Sequence, residues 1–181
     1  MKAVDMFRTL GVSDAGARLD RLLHNLDPQA PEDWRLLAAA LAVRLTSASG
    51  DSAGPMRIVG IAGGQGAGKS TLARLLVQAL GVLGVRAATG SIDDFYLTRA
   101  DRGILGELVH PLLATRGVPG THDVPLCQQI LDALSGSGQV ALPRFDKGLD
   151  DRCPAAEWPL IEAPLDFFVL EGWCLGAVPQ P

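Results

Sequence analysis

Apolar and polar positions divide the chain into two regimes. From Met56 onward, short apolar runs alternate with amphipathic ones. "MRIVGIAG" reads as a buried strand, and "KSTLARLLVQALGVLG" as a helix ending near Gly81 or Gly84. "VRAATGSID" reads as a second strand, and "VPLCQQILDALSGSG" as a helix with a glycine-rich stop. "QVALPRFD" is a short strand or extended segment, and "LDFFVLEGW" a strongly apolar strand. Strands alternating with helices predict βαβ units and a mostly parallel sheet covered on both faces. Residues 1–49 instead follow helical spacing. "SDAGARLDRLLHNL" opens with Ser13 as a candidate N-cap and places Leu19, Leu22, Leu23 and Leu26 on one face. "PEDWRLLAAALAVRLTSA" has Pro31, Glu32 and Asp33 in a first turn, where acids suit the helix dipole, and Trp34, Leu37, Leu41 and Leu45 as its apolar stripe. "SASGDSAGP" is a small-residue linker. The expected organisation is a helical extension with linker over residues 1–55 and an α/β core over residues 56–181.

Composition narrows the function classes. Hydrophobic residues make up 48% of the 181 positions, enough for a sizeable core. The net charge of −4 gives no basic footprint for nucleic acid, so an anionic ligand needs a local positive site. Lysine is confined to Lys2, Lys69 and Lys147. Cys127, Cys153 and Cys174 are odd in number and far apart, which reads as three isolated buried thiols. The N-terminus has no signal-peptide core, and no uncharged apolar run reaches the roughly 20 residues a membrane span needs. A cytoplasmic protein without nucleic-acid or membrane partners is expected; oligomeric state is not legible.

The junction of the first strand and the following helix carries "GGQGAGKST". Gly63, Gly68, Lys69 and Ser70 match G-x-x-x-x-G-K-[ST] in strand-to-helix context, and Gly63, Gly64, Gln65, Gly66, Ala67, Gly68, Lys69, Ser70 and Thr71 together form the expected nucleotide cradle. Glycines let backbone N–H groups converge on phosphate oxygens, and the helix N-terminus adds positive potential. Lys69 is expected on the β- and γ-phosphates of ATP and Ser70 on Mg²⁺. A second metal-side carboxylate is expected at a strand's carboxyl end. "FFVLE" offers Glu171 there, while Asp166 lies at the opposite end. "GSIDDFYLT" ends a strand in Asp93 and Asp94. Alternating strand side chains keep the two from facing the same phosphate, and spacing alone leaves open which of them serves as base.

Two further stretches carry candidate acceptor chemistry. In "TRGVPGTHD", Arg116 is suited to grip a carboxylate, and His122 and Asp123 to hold hydroxyls, with Thr121 or Asp123 alternatively capping the helix that follows. In "PRFDKGLDDR", Arg144, Asp146, Lys147 and Arg152 form a charged loop, either solvated or turned toward an anionic acceptor. Trp34, Trp158 and Trp173 read as core or cover, and His24 and His110 as structural.

Taken together, "GGQGAGKST", "SIDDFYLT" and "VLEGW" resemble the P-loop kinases of the uridine kinase, phosphoribulokinase and pantothenate kinase group. "TRGVPGTHD", "PRFDKGLDDR" and "EGWCLG" narrow the resemblance to the D-glycerate 3-kinase family, over roughly residues 58–176. The resemblance implies a three-layer α/β/α P-loop fold with the helical extension added at the N-terminus. It also implies Asp93 as the base for the acceptor hydroxyl, Asp94 as its neighbour, and Tyr96 among the acceptor-side residues. Members of this group continue well past the point corresponding to Pro181 with an arginine-bearing lid, another strand and a loop near the adenine. The resemblance therefore implies a core shortened at its C-terminus. The expected activity is ATP- and Mg²⁺-dependent phosphorylation of a small hydroxylated metabolite, with D-glycerate first. The alternatives are another acceptor such as a nucleoside or pantothenate, or a nucleotide-binding module without kinase activity.

Overall fold

The computed structural model describes residues 16–48 and 54–178. Two helices come first, α1 (Gly16–Asn25) and α2 (Glu32–Ser47). The strand β1 (Arg57–Ala62), the helix α3 (Lys69–Val82) and the strand β2 (Ala87–Ser91) follow, and β2 runs straight into a 3-10 turn over Ile92–Phe95. Next come α4 (Arg99–Leu108), a 3-10 turn at Pro111–Ala114 and α5 (Val124–Ser135). The chain closes with β3 (Gly138–Ala141), β4 (Phe145–Asp146), β5 (Asp151–Arg152), β6 (Leu160–Ala163) and β7 (Phe167–Gly172). The Ser13 cap lies outside the described residues.

The central sheet is parallel with order β1–β7–β2. All six residues of β7 are buried, as the apolar run Phe167–Leu170 predicts for a strand covered on both faces. Its side chains alternate between two cores. Phe167 and Val169 join Leu22, Leu26, Leu75, Leu76 and Leu80 on the side of α1, α2 and α3. Phe168 and Leu170 join Ile130, Leu134, Val140 and Leu142 on the side of α5, β3 and β6. Full burial of a Phe side chain stabilises by roughly 1.5–3 kcal/mol, so this one strand anchors both layers.

Three expectations are corrected and one is refined. β1 is not a buried strand: it lies at an edge of the sheet, paired only with β7 among the described residues, and Ile58 is 52% exposed. A continuous apolar run cannot by itself distinguish a central strand from an edge. The Trp34–Leu37–Leu41–Leu45 stripe of α2 does pack on the core, but is only partly buried. The buried residues of α2 are Ala38, Ala39, Ala40, Ala42 and Val43, with the larger side chains packed at the margin. Small residues let the α2 and α3 backbones approach closely. The three cysteines are half-buried rather than buried, and all are free. Finally, β2 stops at Ser91, so the paired acids sit on the 3-10 turn rather than on the strand.

The N-terminal helices pack into the same core as α3 and β7. Among the described residues, no helix is long and apolar enough to cross a membrane.

Candidate active site

The carboxyl ends of β1, β7 and β2 lie side by side, with Ile61 and Ser91 both opposite Glu171. Three loops leave this edge, and each carries one part of the expected chemistry. After β1 the chain turns through Gly66 (φ 73°) and Gly68 (φ 82°), a region that disfavours a Cβ, and enters α3 at Lys69. Lys69 Nζ donates to the Gly64 carbonyl at 2.8 Å. Ser70 Oγ donates to Glu171 Oε1 at 2.8 Å, joining the helix start to the end of β7, where Glu171 is buried. Gly172 lets the turn after β2 close over β7: a Cβ there would stand 2.4 Å from Ile92 Cγ2.

That turn separates the two acids. Ser91 Oγ accepts from the Asp93 N–H at 3.3 Å and caps the turn. Asp93 then takes a 2.7 Å ion pair from Lys147. Asp94 accepts from the Phe145 N–H at 3.2 Å and pairs with Arg144 at 3.5 Å. Burial pushes the Asp94 carboxyl above its usual range, although Phe145 and Arg144 oppose the shift. The acids therefore diverge into different cavities. Asp93 lines one of about 770 Å³ together with Gln65, Lys69, Ser70, Arg116, Lys147 and Glu171. Asp94 and Arg144 line a smaller, more apolar one of about 200 Å³. The separation expected from strand alternation is present, but a 3-10 turn produces it.

Tyr96 also lines the larger cavity, and burial, reinforced by the nearby Asp93, pushes its phenol up to about 12. The His122 ring stacks on Tyr96 at 4.4 Å, and burial lowers its pKa against the pull of Asp93. Arg116 reaches the cavity held by the Asp150 carboxylate. Asp150 in turn is bound by Arg102, which is wholly buried and donates to the carbonyls of Leu97 (3.2 Å), Ala114 (3.2 Å) and Asp150 (2.6 Å). Burial alone would raise the Asp150 pKa, but hydrogen bonds from Arg116 and Arg102 outweigh it and hold the carboxyl below its usual range.

Of the expected acceptor residues, Asp93, Tyr96, Arg116 and Lys147 converge on this cavity, whereas His122, Asp123 and Arg152 do not line it. Asp123 caps α5 through the Leu126 N–H at 3.0 Å and pairs with Arg152 at 2.9 Å. Arg152 also donates to the Tyr96 carbonyl at 2.8 Å. These polar groups are engaged in the scaffold that holds Tyr96. Asp146 likewise serves its own turn, accepting from the N–H groups of Gly148 and Leu149. Gly63, Gly64, Ala67, Gly68 and Thr71 complete the loop and the start of α3. Sequence reasoning missed Ser91 and Trp173 as cavity residues, and Arg102 and Asp150 as the support of Arg116. It also missed α4, although Thr98 and Asp101 form a capping signature: Thr98 Oγ accepts from the Asp101 N–H at 3.2 Å.

The donor set at the Ser70–Glu171 junction consists of hard oxygens, which suit Mg²⁺. Among the described residues no group of three or more His, Cys, Asp or Glu side chains could hold a metal. A cation held by one or two protein oxygens plus phosphates fits that sparseness.

No family model matches the chain. It is 40% identical over 132 residues to the probable ATP-dependent kinase TDA10 of Saccharomyces cerevisiae, covering 65% of this chain and 45% of that protein. It is 37% identical over 142 residues to the chloroplastic D-glycerate 3-kinase of Arabidopsis thaliana, covering 73% of this chain and 31% of that one. Among solved structures, the D-glycerate 3-kinase of Cryptococcus neoformans superposes with a TM-score of 0.66 at 32% identity, over 84% of this chain and 56% of that one. The chain thus spans less than half the length of these two curated relatives. In sequence and in fold the chain is similar to P-loop kinases of the D-glycerate 3-kinase and uridine kinase group.

Proposed function

We propose that this P-loop kinase transfers the γ-phosphoryl group of ATP to a hydroxyl of a small anionic metabolite, with D-glycerate the first candidate. The observation that carries this reading is the shared cavity: Lys69, Ser70 and Glu171 face the same 770 Å³ space as Asp93, Arg116 and Lys147. The relatives named as D-glycerate 3-kinases support the choice of acceptor. The loop N–H groups, the start of α3 and Lys69 receive the phosphates. Ser70 and Glu171 would hold Mg²⁺, which when bound neutralises charge on the phosphate oxygens. Asp93 accepts the proton of the acceptor hydroxyl as its oxygen bonds to the γ-phosphorus and the bond to the bridging oxygen of ADP breaks. Its partner Lys147 is mostly exposed, and an exposed pair of this kind is worth only about 0–1 kcal/mol, so an acceptor can enter between the two. Arg116, with one N–H given to Asp150, and Lys147 offer charge to a carboxylate. Catalysis by this site is positioning plus charge stabilisation.

ATP turnover measured with glycerate, uridine, pantothenate and ribulose phosphate tests the reading. Turnover should rise sharply with glycerate and yield phosphoglycerate. A response to uridine or pantothenate alone would reassign the acceptor. Turnover indifferent to all four would leave only a nucleotide-binding module.

A further inference from the structure

Trp34 sits in α2, far in sequence from the phosphate-binding loop, yet its indole touches that loop. A Cβ added at Gly68 would stand 2.8 Å from Trp34 Cζ2 and 3.1 Å from Cη2, so the six-membered edge of the indole lies against the last loop glycine. Gly68 is the residue at which the chain, with φ 82°, turns into α3. The neighbouring glycines have no such neighbour. At Gly63 an added Cβ would meet only Lys69 and Ala67, members of the motif, and at Gly64 and Gly66 it would meet nothing within 4 Å. Gln65, Gly66 and Ala67 are exposed. Of these four glycines, Gly68 is the one whose added Cβ would have a side chain from outside the motif as its nearest neighbour. The rest of Trp34 packs on the core shared by α1, α2 and α3, and Asp27, between the two N-terminal helices, pairs with Arg74 of α3 at 3.0 Å.

We infer that Trp34 is a positioning residue for the phosphate cradle, and that the N-terminal helices serve nucleotide binding by holding it there. This rests on the reading of the loop as the nucleotide site. Convergence of the loop N–H groups requires a defined turn at Gly68. A glycine left unsupported samples many conformations and loses them on binding, which weakens affinity. The indole closes one side of that turn, and its own position is set by the alanine-lined packing of α2. The closeness of the contact also makes it selective. The atoms against Gly68 belong to the ring that phenylalanine lacks at that reach, so Trp34→Phe keeps an aromatic group on the core while withdrawing the support.

Calorimetric titration of Mg²⁺–ADP into wild type and Trp34→Phe is the first measurement. The variant should bind about tenfold more weakly, the scale of ordering roughly one backbone residue. In turnover, the KM for ATP should rise while the KM for the acceptor stays unchanged. A second measurement leaves Trp34 in place and uses a double variant first shown by calorimetry to bind Mg²⁺–ADP as wild type does. With Trp158→Phe and Trp173→Phe, Trp34 becomes the sole tryptophan, and its emission should change on adding Mg²⁺–ADP. Wild-type affinity in Trp34→Phe, or Trp34 emission blind to nucleotide, overturns the inference. Wild-type protein that binds no nucleotide at all removes the underlying reading and this one with it.

Discussion

Asp150→Asn probes a charge whose importance only the folded chain reveals. Asp150 has φ 55°, a region that asparagine occupies readily, so the substitution keeps backbone and size while removing the charge. It affects two arginines. Arg102 is wholly buried and loses its 3.2 Å ion pair, and Arg116 loses the carboxylate that holds it. Removing one partner of a fully buried pair costs about 3–5 kcal/mol. Here the Asp150 side chain is 35% exposed, and Arg102 keeps carbonyl acceptors on Leu97, Ala114 and Asp150 itself. Water and backbone therefore compensate in part. The cost should fall toward that of one charged hydrogen bond, about 1.5–3 kcal/mol, reduced by screening to about 2 kcal/mol. For a chain of this size that lowers Tm by about 4–8 °C. Urea denaturation should show a lower midpoint at constant m-value. The freed Arg116 should also raise the acceptor KM while leaving nucleotide affinity in place. A loss under about 0.5 kcal/mol would show that the carbonyls alone satisfy Arg102. An unchanged acceptor KM would show that Asp150 does not position Arg116.

Lys69→Ala should weaken Mg²⁺–ATP binding, since it deletes the cradle's side-chain cation; unchanged affinity by calorimetry would contradict the loop's assigned role. Asp93→Asn should slow single-turnover phosphoryl transfer by about 10²–10⁴-fold with ATP binding nearly intact, and Asp94→Asn, turned to the smaller cavity, should do far less; the reverse order would make Asp94 the base. Asp166 should contribute to acid unfolding. The Arg86 side chain and N–H hold its carboxyl below the ordinary 3.8, so its stabilisation is present above that value and is lost as pH falls through the depressed pKa. In Asp166→Asn the decline in stability below about pH 4 should be shallower than in wild type, and an identical decline would exclude the Arg86 contact as its source.

Local features were legible where local physics decides them. The glycine spacing before Lys69 demands a tight strand-to-helix turn, and β7 announces itself because a strand buried on both faces reads as a near-continuous apolar run, here Phe167–Leu170. Helices α1, α2, α3 and α5 follow from spacing and stops, and Glu171 from its place at a strand's carboxyl end. Long-range arrangement was not legible. Whether β1 lies inside the sheet or at its edge depends on what pairs with it, which its own residues do not encode. The 3-10 turn at Asp93 depends on Gly172 leaving room for Ile92, a contact between residues 80 apart in the chain. Asp123 and Arg152 read as ligand groups because charge in a loop looks the same whether it meets a substrate or another side chain; folding paired them with each other. Arg102 lies in no motif, Asp150 is one of several charges in "PRFDKGLDDR", and Trp34 reads only as part of an apolar stripe. Each acts on the site through a neighbour distant in sequence, and only tertiary packing brings an indole to Gly68 or a buried guanidinium to the residue that holds Arg116.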